Sequence, residues 1–481
     1  MDESLLRKKV VKGSMWVFAL RVLQVLFNTA RLVVLARIIA PNDFGLMGVA
    51  LLTMTALETF TETGFQTALI QKSANIRRYL NTAWTVSVIR GLILFTTLFF
   101  TAPYFAGFFN VPEGKTIIQA VGVAVLFKSL INVGVIYFQK DLDFRREFTY
   151  QFAGTAADFT IAVSSAIVFR NVWALALGYV AGNLTRCIVS YLVHPYRPSF
   201  NLNLRRARGL FGFGKWVLGS SVLIFLITQG DNIVVGKLIG ATALGLYQMA
   251  YLISNTPATE VTNVISQVTF PTYSKLQHRL SKLRQAYLKA LGATAFVSFL
   301  MAGLIFILAP EFTRTFLGQE WMPMVPAIKI LCLYGAVRSL NATVGPVLYS
   351  IGRPEVQTML SGVQLAAMAL TIYPLTMRFG IIGVSFSVLF AGGLSLVLIV
   401  RELRSTIKVE YRDFLRVISA PILGVIVMFT AANLANAILP FSVIVKFLAV
   451  ASSSAISYLA ALYLCRRELF DEFRKILGGL R

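Results

Sequence analysis

Val11 to Ile39 read VKGSMWVFALRVLQVLFNTARLVVLARII, and four polar residues in this apolar run decide how the chain must fold. Arg21, Gln24, Asn28 and Arg31 follow one another at steps of three, four and three. On a helix of 3.6 residues per turn these steps place all four on one face. The other faces carry Trp16, Val17, Phe18, Leu20, Leu23, Leu26, Phe27, Val33 and Leu35. The run is long enough to span a bilayer. A charge at the bilayer centre, however, costs at least ~2.5–3.5 kcal/mol on insertion scales. The stripe therefore needs a protein interior or a wet cavity to face, and the rest of the chain must supply it.

The whole chain shares this apolar character. Its 481 residues are 57% hydrophobic and only 14% charged, and the mean hydropathy is +0.72. Such a balance excludes a soluble enzyme of this length and is that of a polytopic membrane protein. Lys and Arg number 45 against 21 Asp and Glu, a formal net charge of +24. On a soluble chain that excess would point to nucleic acid. On a membrane chain it points to basic loops retained on the cytoplasmic side, so no nucleic-acid partner is expected. Cys187, Cys332 and Cys465 lie in or at the end of apolar runs and imply no disulfide framework. The basic N-terminal segment, Met1 to Gly13, leads into a run too long for a signal-peptide core, so it reads as the start of a retained first span.

Fourteen apolar runs of spanning length follow: 12–38, 44–68, 80–103, 115–138, 149–169, 172–194, 216–239, 244–269, 287–309, 323–350, 355–377, 380–400, 414–435 and 441–465. With a cytoplasmic N-terminus, 30 of the 45 Lys and Arg fall in cytoplasmic segments and six, Arg37, Lys115, Arg170, Lys237, Arg314 and Arg378, in the opposite loops. This asymmetry orients the chain with both termini inside. The expectation is an all-α membrane protein of 14 transmembrane helices. The segment 197–215 and the tail after Cys465 alternate apolar and basic residues in the manner of interfacial helices resting on anionic lipid.

Residues 16–59 also align with 216–259 at a constant offset of 200 and match at ten of 44 positions, among them Trp16/Trp216, Val34/Val234, Gly45/Gly245 and Thr59/Thr259. Random matching in so apolar a chain gives about four. Six spans precede the linker, so the two halves would be parallel repeats, with a site between the lobes and alternating access by rocking. The expected division is 1–196 for an N-terminal lobe of six spans, 197–215 for a linker, 216–405 for a second six-span lobe, and 406–481 for two further spans and an amphipathic tail.

Val34-Leu-Ala-Arg-Ile-Ile-Ala-Pro-Asn-Asp-Phe-Gly45 resembles the first-loop pattern of the polysaccharide-transporter branch of the multidrug/oligosaccharidyl-lipid/polysaccharide exporter superfamily. Gly245-Leu-Tyr247 with Tyr251, Phe270-Pro-Thr-Tyr-Ser-Lys-Leu276, Gly318-Gln-Glu-Trp321 and Leu331-Cys-Leu-Tyr-Gly-Ala-Val-Arg-Ser339 carry the resemblance onward. These are helix-end patterns, and their order over residues 10 to about 465 is what identifies the family. The resemblance implies two six-helix lobes around a cationic central cavity and two extra helices. It also implies export of an undecaprenyl-pyrophosphate-linked oligosaccharide to the outer leaflet of a bacterial plasma (inner) membrane. The partners that follow are the lipid-linked oligosaccharide, membrane lipids, and a polysaccharide polymerase or other assembly protein.

The residue chemistry agrees with such a cargo, because guanidinium groups remain charged and pair bidentately with phosphate oxygens. The spans hold Arg21, Arg31, Arg90, Lys128, Arg186 and Arg338 as candidate cations, with Gln24, Asn28, Tyr251 and Asn255 as candidate glycan contacts. Glu58, Glu62, Asp158, Asp231 and Glu260 are the candidate coupling-ion sites, since a desolvated acid takes up a proton more readily. The competing structural reading pairs Arg21 with Glu58 or Glu62 of the second span, which should run antiparallel beside the first. Arg31, with Gln24 and Asn28 beneath it, is then the expected substrate-facing group, and its repeat mate Asp231 is a second candidate partner. His194 and His278 fall at span ends and read as interfacial.

Gly209 to Lys215 mimics a phosphate loop, but Trp216 replaces its Ser/Thr and no strand precedes it. No metal-ligand cluster, nucleophile–base grouping or cofactor motif is evident, so neither an enzyme nor a cofactor is expected. The alternatives are a cation-coupled drug exporter, a peptidoglycan-precursor flippase and, from a different class, a membrane polysaccharide polymerase or ligase. The last should carry a long outer loop, whereas the longest here runs only from about Pro310 to Met322.

Overall fold

The computed structural model describes residues 3–61, 77–141, 143–201, 204–438 and 443–465. Among these residues the chain is helical, with no strand. In order, the helices are α1 (Glu3–Ile38), α2 (Pro41–Phe60), α3 (Arg77–Phe108), α4 (Gly114–Ser129), α5 (Ile136–Lys140), α6 (Phe144–Phe169), α7 (Val172–Val193), α8 (Leu204–Leu238) and α9 (Ala241–Leu276). They continue as α10 (Leu280–Phe312), α11 (Val325–Ala342), α12 (Gly345–Ser350), α13 (Pro354–Ile407), α14 (Tyr411–Ile438) and α15 (Val443–Cys465). Eleven helices are long and apolar enough to cross a membrane among the described residues. A helix is the form in which a single segment satisfies all its own backbone groups away from water. The chain is a multi-pass membrane protein. Glu62, Gln66 and the amphipathic tail 466–481 lie outside the described residues.

Two expected single spans are broken. The run 115–138 becomes α4, a 3-10 turn over Val133–Val135 and α5, and the Asn132 side chain caps the turn by accepting from the Gly134 N–H. The run 323–350 divides into a 3-10 turn (Gln319–Met324), α11 and α12. Conversely, the runs 355–377 and 380–400 are joined in α13 across a sharp kink at Gly380, whose φ of 57° and ψ of −137° suit a residue without a Cβ. The second part of the linker is helical and continuous with α8 from Leu204.

The chain divides into two compact units, Met1–Gly245 and Leu246–Arg481. In the first, the α6–α7 connection is sharp. Arg170 is left-handed at φ 51°, and Asn171 caps α7 by accepting from the Trp173 N–H. α1 packs on α6 through edge-to-face contacts of Trp16 with Phe148 and of Phe27 with Phe152 and Phe159. The first turns of α2 and α9 cross in backbone contact. A Cβ on Gly45 would overlap the Ala241 carbonyl, and one on Gly245 would overlap the Pro41 carbonyl. Beside them Thr242 Oγ1 donates to Asn42 Oδ1 at 3.1 Å. Each of these positions has its counterpart 200 residues away, so the glycine match seen in the sequence marks a real crossing.

In the second unit, Tyr273, Leu283, Tyr287, Leu291, Leu348 and Leu403 anchor a buried cluster. A further cluster seats α14 and α15 against α10 through Phe296, Met428, Tyr458 and Leu462. There the Tyr458 hydroxyl donates to the Phe296 carbonyl at 2.8 Å, and Arg284 on α10 pairs with Asp413 on α14.

Because both glycines abut backbone that cannot retreat, Gly45→Ala and Gly245→Ala should each cost about 1–3 kcal/mol, the range for overpacking a close contact. Fluorescence-detected size exclusion after stepwise heating should show a lower midpoint for each.

Candidate functional site

The opening stripe is divided between two environments. Arg21 and Asn28 are exposed on the first unit and Gln24 is half-buried. Arg31 turns inward from α1 and meets Asp158 of α6, Nη2 to Oδ1 at 3.2 Å. Glu58 pairs with Lys128, whose Nζ lies 2.9 and 3.0 Å from its two carboxylate oxygens, and Glu62, the other partner expected for Arg21, lies outside the described residues. Arg31 is thus tied by an ion pair within its own unit.

Helices α2, α3, α4, α6 and α7 of the first unit enclose a polar cavity of about 650 Å³. Four expected site residues line it, Glu58, Arg90, Lys128 and Arg186, together with Thr55, Ser87, Trp84, Asn132, Tyr150, Gln151 and Asn183. Three cations against one carboxylate leave a formal charge of +2 on the wall. Their commitments differ. Arg90 closes the end of α2, donating from Nη2 to the Glu58 carbonyl at 2.7 Å and from Nε to Thr61 Oγ1 at 3.1 Å. It satisfies carbonyls that a helix terminus leaves unpaired. Lys128 balances Glu58. Arg186 makes a longer contact, Nη2 to Thr155 Oγ1 at 3.4 Å, and its Nε is buried without a hydrogen-bond partner.

Arg186 owes its position to the α6–α7 interface. Its side-chain stem lies on Gly154, where a Cβ would collide with it. Tyr150, Gly154 and Asp158 recur every four residues along α6 and so share the face that meets α7. This spacing was visible in the sequence, but only the facing helix shows what it accommodates. Trp84, Asn132, Tyr150, Gln151 and Asn183 were not foreseen. Amides, hydroxyls and aromatic rings are common throughout the chain, and nothing local distinguishes those that line a cavity.

The other expected residues lie elsewhere. Asp231 is buried on α8, where its Oδ1 accepts from the Asn232 N–H at 2.8 Å. In the second unit, Arg338 of α11 donates to Thr259 Oγ1 of α9 at 3.1 Å, next to Glu260. Tyr251 sits between the rings of Tyr247 and Tyr334, at 6.3 and 6.4 Å. Asn255 is buried, and its Nδ2 donates to Ser254 Oγ at 3.1 Å. An apolar cavity of about 440 Å³ among α10, α11 and α14, lined by Phe299, Phe306, Leu333 and Phe429, has the chemistry of a hydrocarbon site rather than an ionic one. No group of three or more metal-ligating side chains occurs among the described residues.

Fold and cavity together define a multi-pass helical membrane protein with a cation-lined interior. Residues 34–326 match the family described as polysaccharide biosynthesis protein, and the chain belongs to that family. It is similar to the lipopolysaccharide biosynthesis protein WzxC of Escherichia coli (strain K12), 25% identical over 73% of this chain and 72% of that one. It is also similar to the teichuronic acid biosynthesis protein TuaB of Bacillus subtilis (strain 168), 28% identical over 61% of each chain. The succinoglycan biosynthesis transport protein ExoT of Rhizobium meliloti (strain 1021) is 24% identical over 67% of this chain and 65% of its own. Among solved structures, the lipid II flippase MurJ in an inward closed conformation superposes with a TM-score of 0.76 at 14% identity, covering 96% of this chain and 100% of that one. An inward-facing multidrug resistance MATE family transporter of the MOP superfamily gives 0.61 at 17% identity, covering 80% and 95%. These likenesses establish the fold shared with that superfamily, in agreement with the resemblance carried by the sequence motifs.

The Lys128–Glu58 pair is partly solvated, so its contribution should be small. Lys128→Ala should lower stability by about 0.5–1 kcal/mol, and adding Glu58→Gln should restore most of the loss by removing the unpaired carboxylate. A double-mutant cycle on thermal midpoints measures the coupling.

Proposed function

We propose that the protein is a flippase that moves a lipid-diphosphate-linked oligosaccharide from the cytoplasmic to the outer leaflet of a bacterial plasma membrane by alternating access. The observation that carries the reading is the polar cavity of about 650 Å³ with a net positive wall, enclosed by apolar helices. A glycan needs hydroxyl, amide and aromatic partners, and a diphosphate needs cations that do not lose their charge. Arg186, with the fewest internal commitments of the three cavity cations, is the group we assign to the anion. Arg21, Gln24 and Asn28 on the exposed side of α1 are further contacts for the same substrate. The names of the relatives support this reading, since they belong to biosynthesis of lipopolysaccharide, teichuronic acid and succinoglycan.

The same proposal includes fourteen spans, with α4, α9 and the two arms of α13 completing the eleven, and both termini on the cytoplasmic side, a reading supported by the 30-to-six division of basic residues. Among the acids, Asp158 is paired with Arg31 and Glu58 with Lys128. Glu58, Asp158, Asp231 and Glu260 are the coupling candidates among the described residues.

Deleting the gene should make a lipid-linked repeat unit accumulate on the cytoplasmic leaflet. Accumulation of the peptidoglycan precursor instead would assign the protein to that pathway, and unchanged lipids with a new drug sensitivity would reject the reading. In the complemented strain, Arg186→Ala should reduce surface polysaccharide by at least about tenfold, the loss of one charge-assisted contact of ~1.5–3 kcal/mol, while the protein level in the membrane stays unchanged. Arg90→Ala should lower the amount of folded protein as well, because it opens the end of α2.

A further inference from the structure

The eight residues that follow α7, His194 to Asn201, form neither helix nor strand, yet they are held at nearly every step. The Tyr196 hydroxyl donates to Asn81 Oδ1 of α3, and the Tyr196 carbonyl accepts from Asn132 Nδ2 at 2.7 Å. The Ser199 N–H donates to the same Asn81 Oδ1 at 3.1 Å, and Asn81 Nδ2 donates to Ser199 Oγ at 2.7 Å. The Asn201 N–H donates to Thr85 Oγ1 at 3.0 Å, and the Phe200 ring meets the Trp84 ring edge-to-face at 5.0 Å. Trp84 and Asn132 both line the polar cavity, from α3 on one side and the α4–α5 break on the other. The segment is thus a strap that ties two walls of the cavity together.

The strap begins at His194, one residue beyond the spanning helix. The ring stacks parallel to Tyr137 of α5, with centroids 5.9 Å apart and planes 6° apart, and lies 5.5 Å from Phe138. Its Nδ1 accepts from the Tyr196 N–H at 3.1 Å. That bond requires Nδ1 to carry no proton, because a protonated imidazole has donors at both nitrogens. The charged and titratable groups around the ring are Arg146 of α6, Asp141 after α5, Arg197 and Tyr196 of the strap, and Tyr137.

We propose that His194 to Asn201 is a protonation-sensitive clasp, in which neutral His194 holds the strap across the cavity walls and protonation of its Nδ1 releases the Tyr196 N–H and loosens the strap. Burial holds the imidazole below the ordinary histidine value of 6.5, and the positive charges of Arg146 and Arg197 act in the same direction against the smaller opposing effect of Asp141. A lowered value in the clasped state means that the released state binds the proton more tightly. The clasp is therefore intact above the ordinary histidine range, weakens as the pH falls through it, and is weakest below the lowered value. Each unit of separation between the two values is a tenfold change in the clasp equilibrium at low pH.

Hydrogen–deuterium exchange on the purified full-length protein in detergent tests this at about pH 7.5 and about pH 5, with labelling times scaled for intrinsic exchange and the interior amides of α7 as internal reference. The amides of Tyr196, Ser199 and Asn201 should lose about tenfold protection relative to α7 at the lower pH in the wild type. In His194→Gln, which keeps an acceptor and cannot become charged, they should not. Equal relative protection at both pH values in the wild type, parallel loosening of α7, or the same loss in His194→Gln would each overturn the clasp. The wild-type comparison stands alone if the variant does not fold.

Discussion

Charge placed among apolar helices must be compensated locally, and the first unit of this protein is organised by that requirement. Arg31 is met by Asp158, Lys128 by Glu58, and Arg90 by the unpaired carbonyl end of α2. Each arrangement joins two different helices, so the ionic contacts also tie α1 to α6, α2 to α4 and α2 to α3. Arg186 is the least fully committed of the cavity cations. Its surplus charge gives the cavity a sign, and a cavity with a sign can select a solute.

Compensation depends on helix packing close enough to bring the partners together. Gly154 leaves room for the Arg186 stem, and the reciprocal crossing at Gly45 and Gly245 brings the first turns of α2 and α9 into backbone contact. Polar helix breaks do comparable work. Asn132 caps the 3-10 turn after α4, lines the cavity and anchors the segment leading out of α7. One side chain thereby connects local structure, cavity wall and linker. The second unit adds the Arg284–Asp413 pair between α10 and α14 to a larger apolar core. Its buried clusters are dominated by Leu, Val and Tyr, and its extra helices α14 and α15 dock on α10 chiefly through apolar packing.

Much of the architecture was legible before any coordinates. Long apolar runs, asymmetric basic loops and ordered helix-end motifs led to a helical membrane protein of the exporter superfamily, and the match over residues 34–326 agrees. Four of the cavity residues, Glu58, Arg90, Lys128 and Arg186, were also named from sequence, because a charge in an apolar run is rare enough to be noticed. Trp84, Asn132, Tyr150, Gln151 and Asn183 escaped notice because polar and aromatic residues at helix faces serve packing more often than binding. The breaks at Asn132 and after Ala342 were missed since the runs stay apolar through them, and hydropathy does not register a capping hydrogen bond.

The sequence by itself determined the class of protein, the set of charged residues that must be accommodated, and the periodicity that places them on particular helix faces. These are properties of composition and of spacing along one helix. Which charge meets which was decided by the tertiary structure, since pairing across helices depends on crossing and relative depth. Arg21 and Arg31 share one stripe of α1, and from the sequence Arg31 was the more open of the two. The packing of α1 on α6 instead ties Arg31 to Asp158, because the partner a stripe residue meets is set by the neighbouring helix at its own depth and not by its place in the stripe.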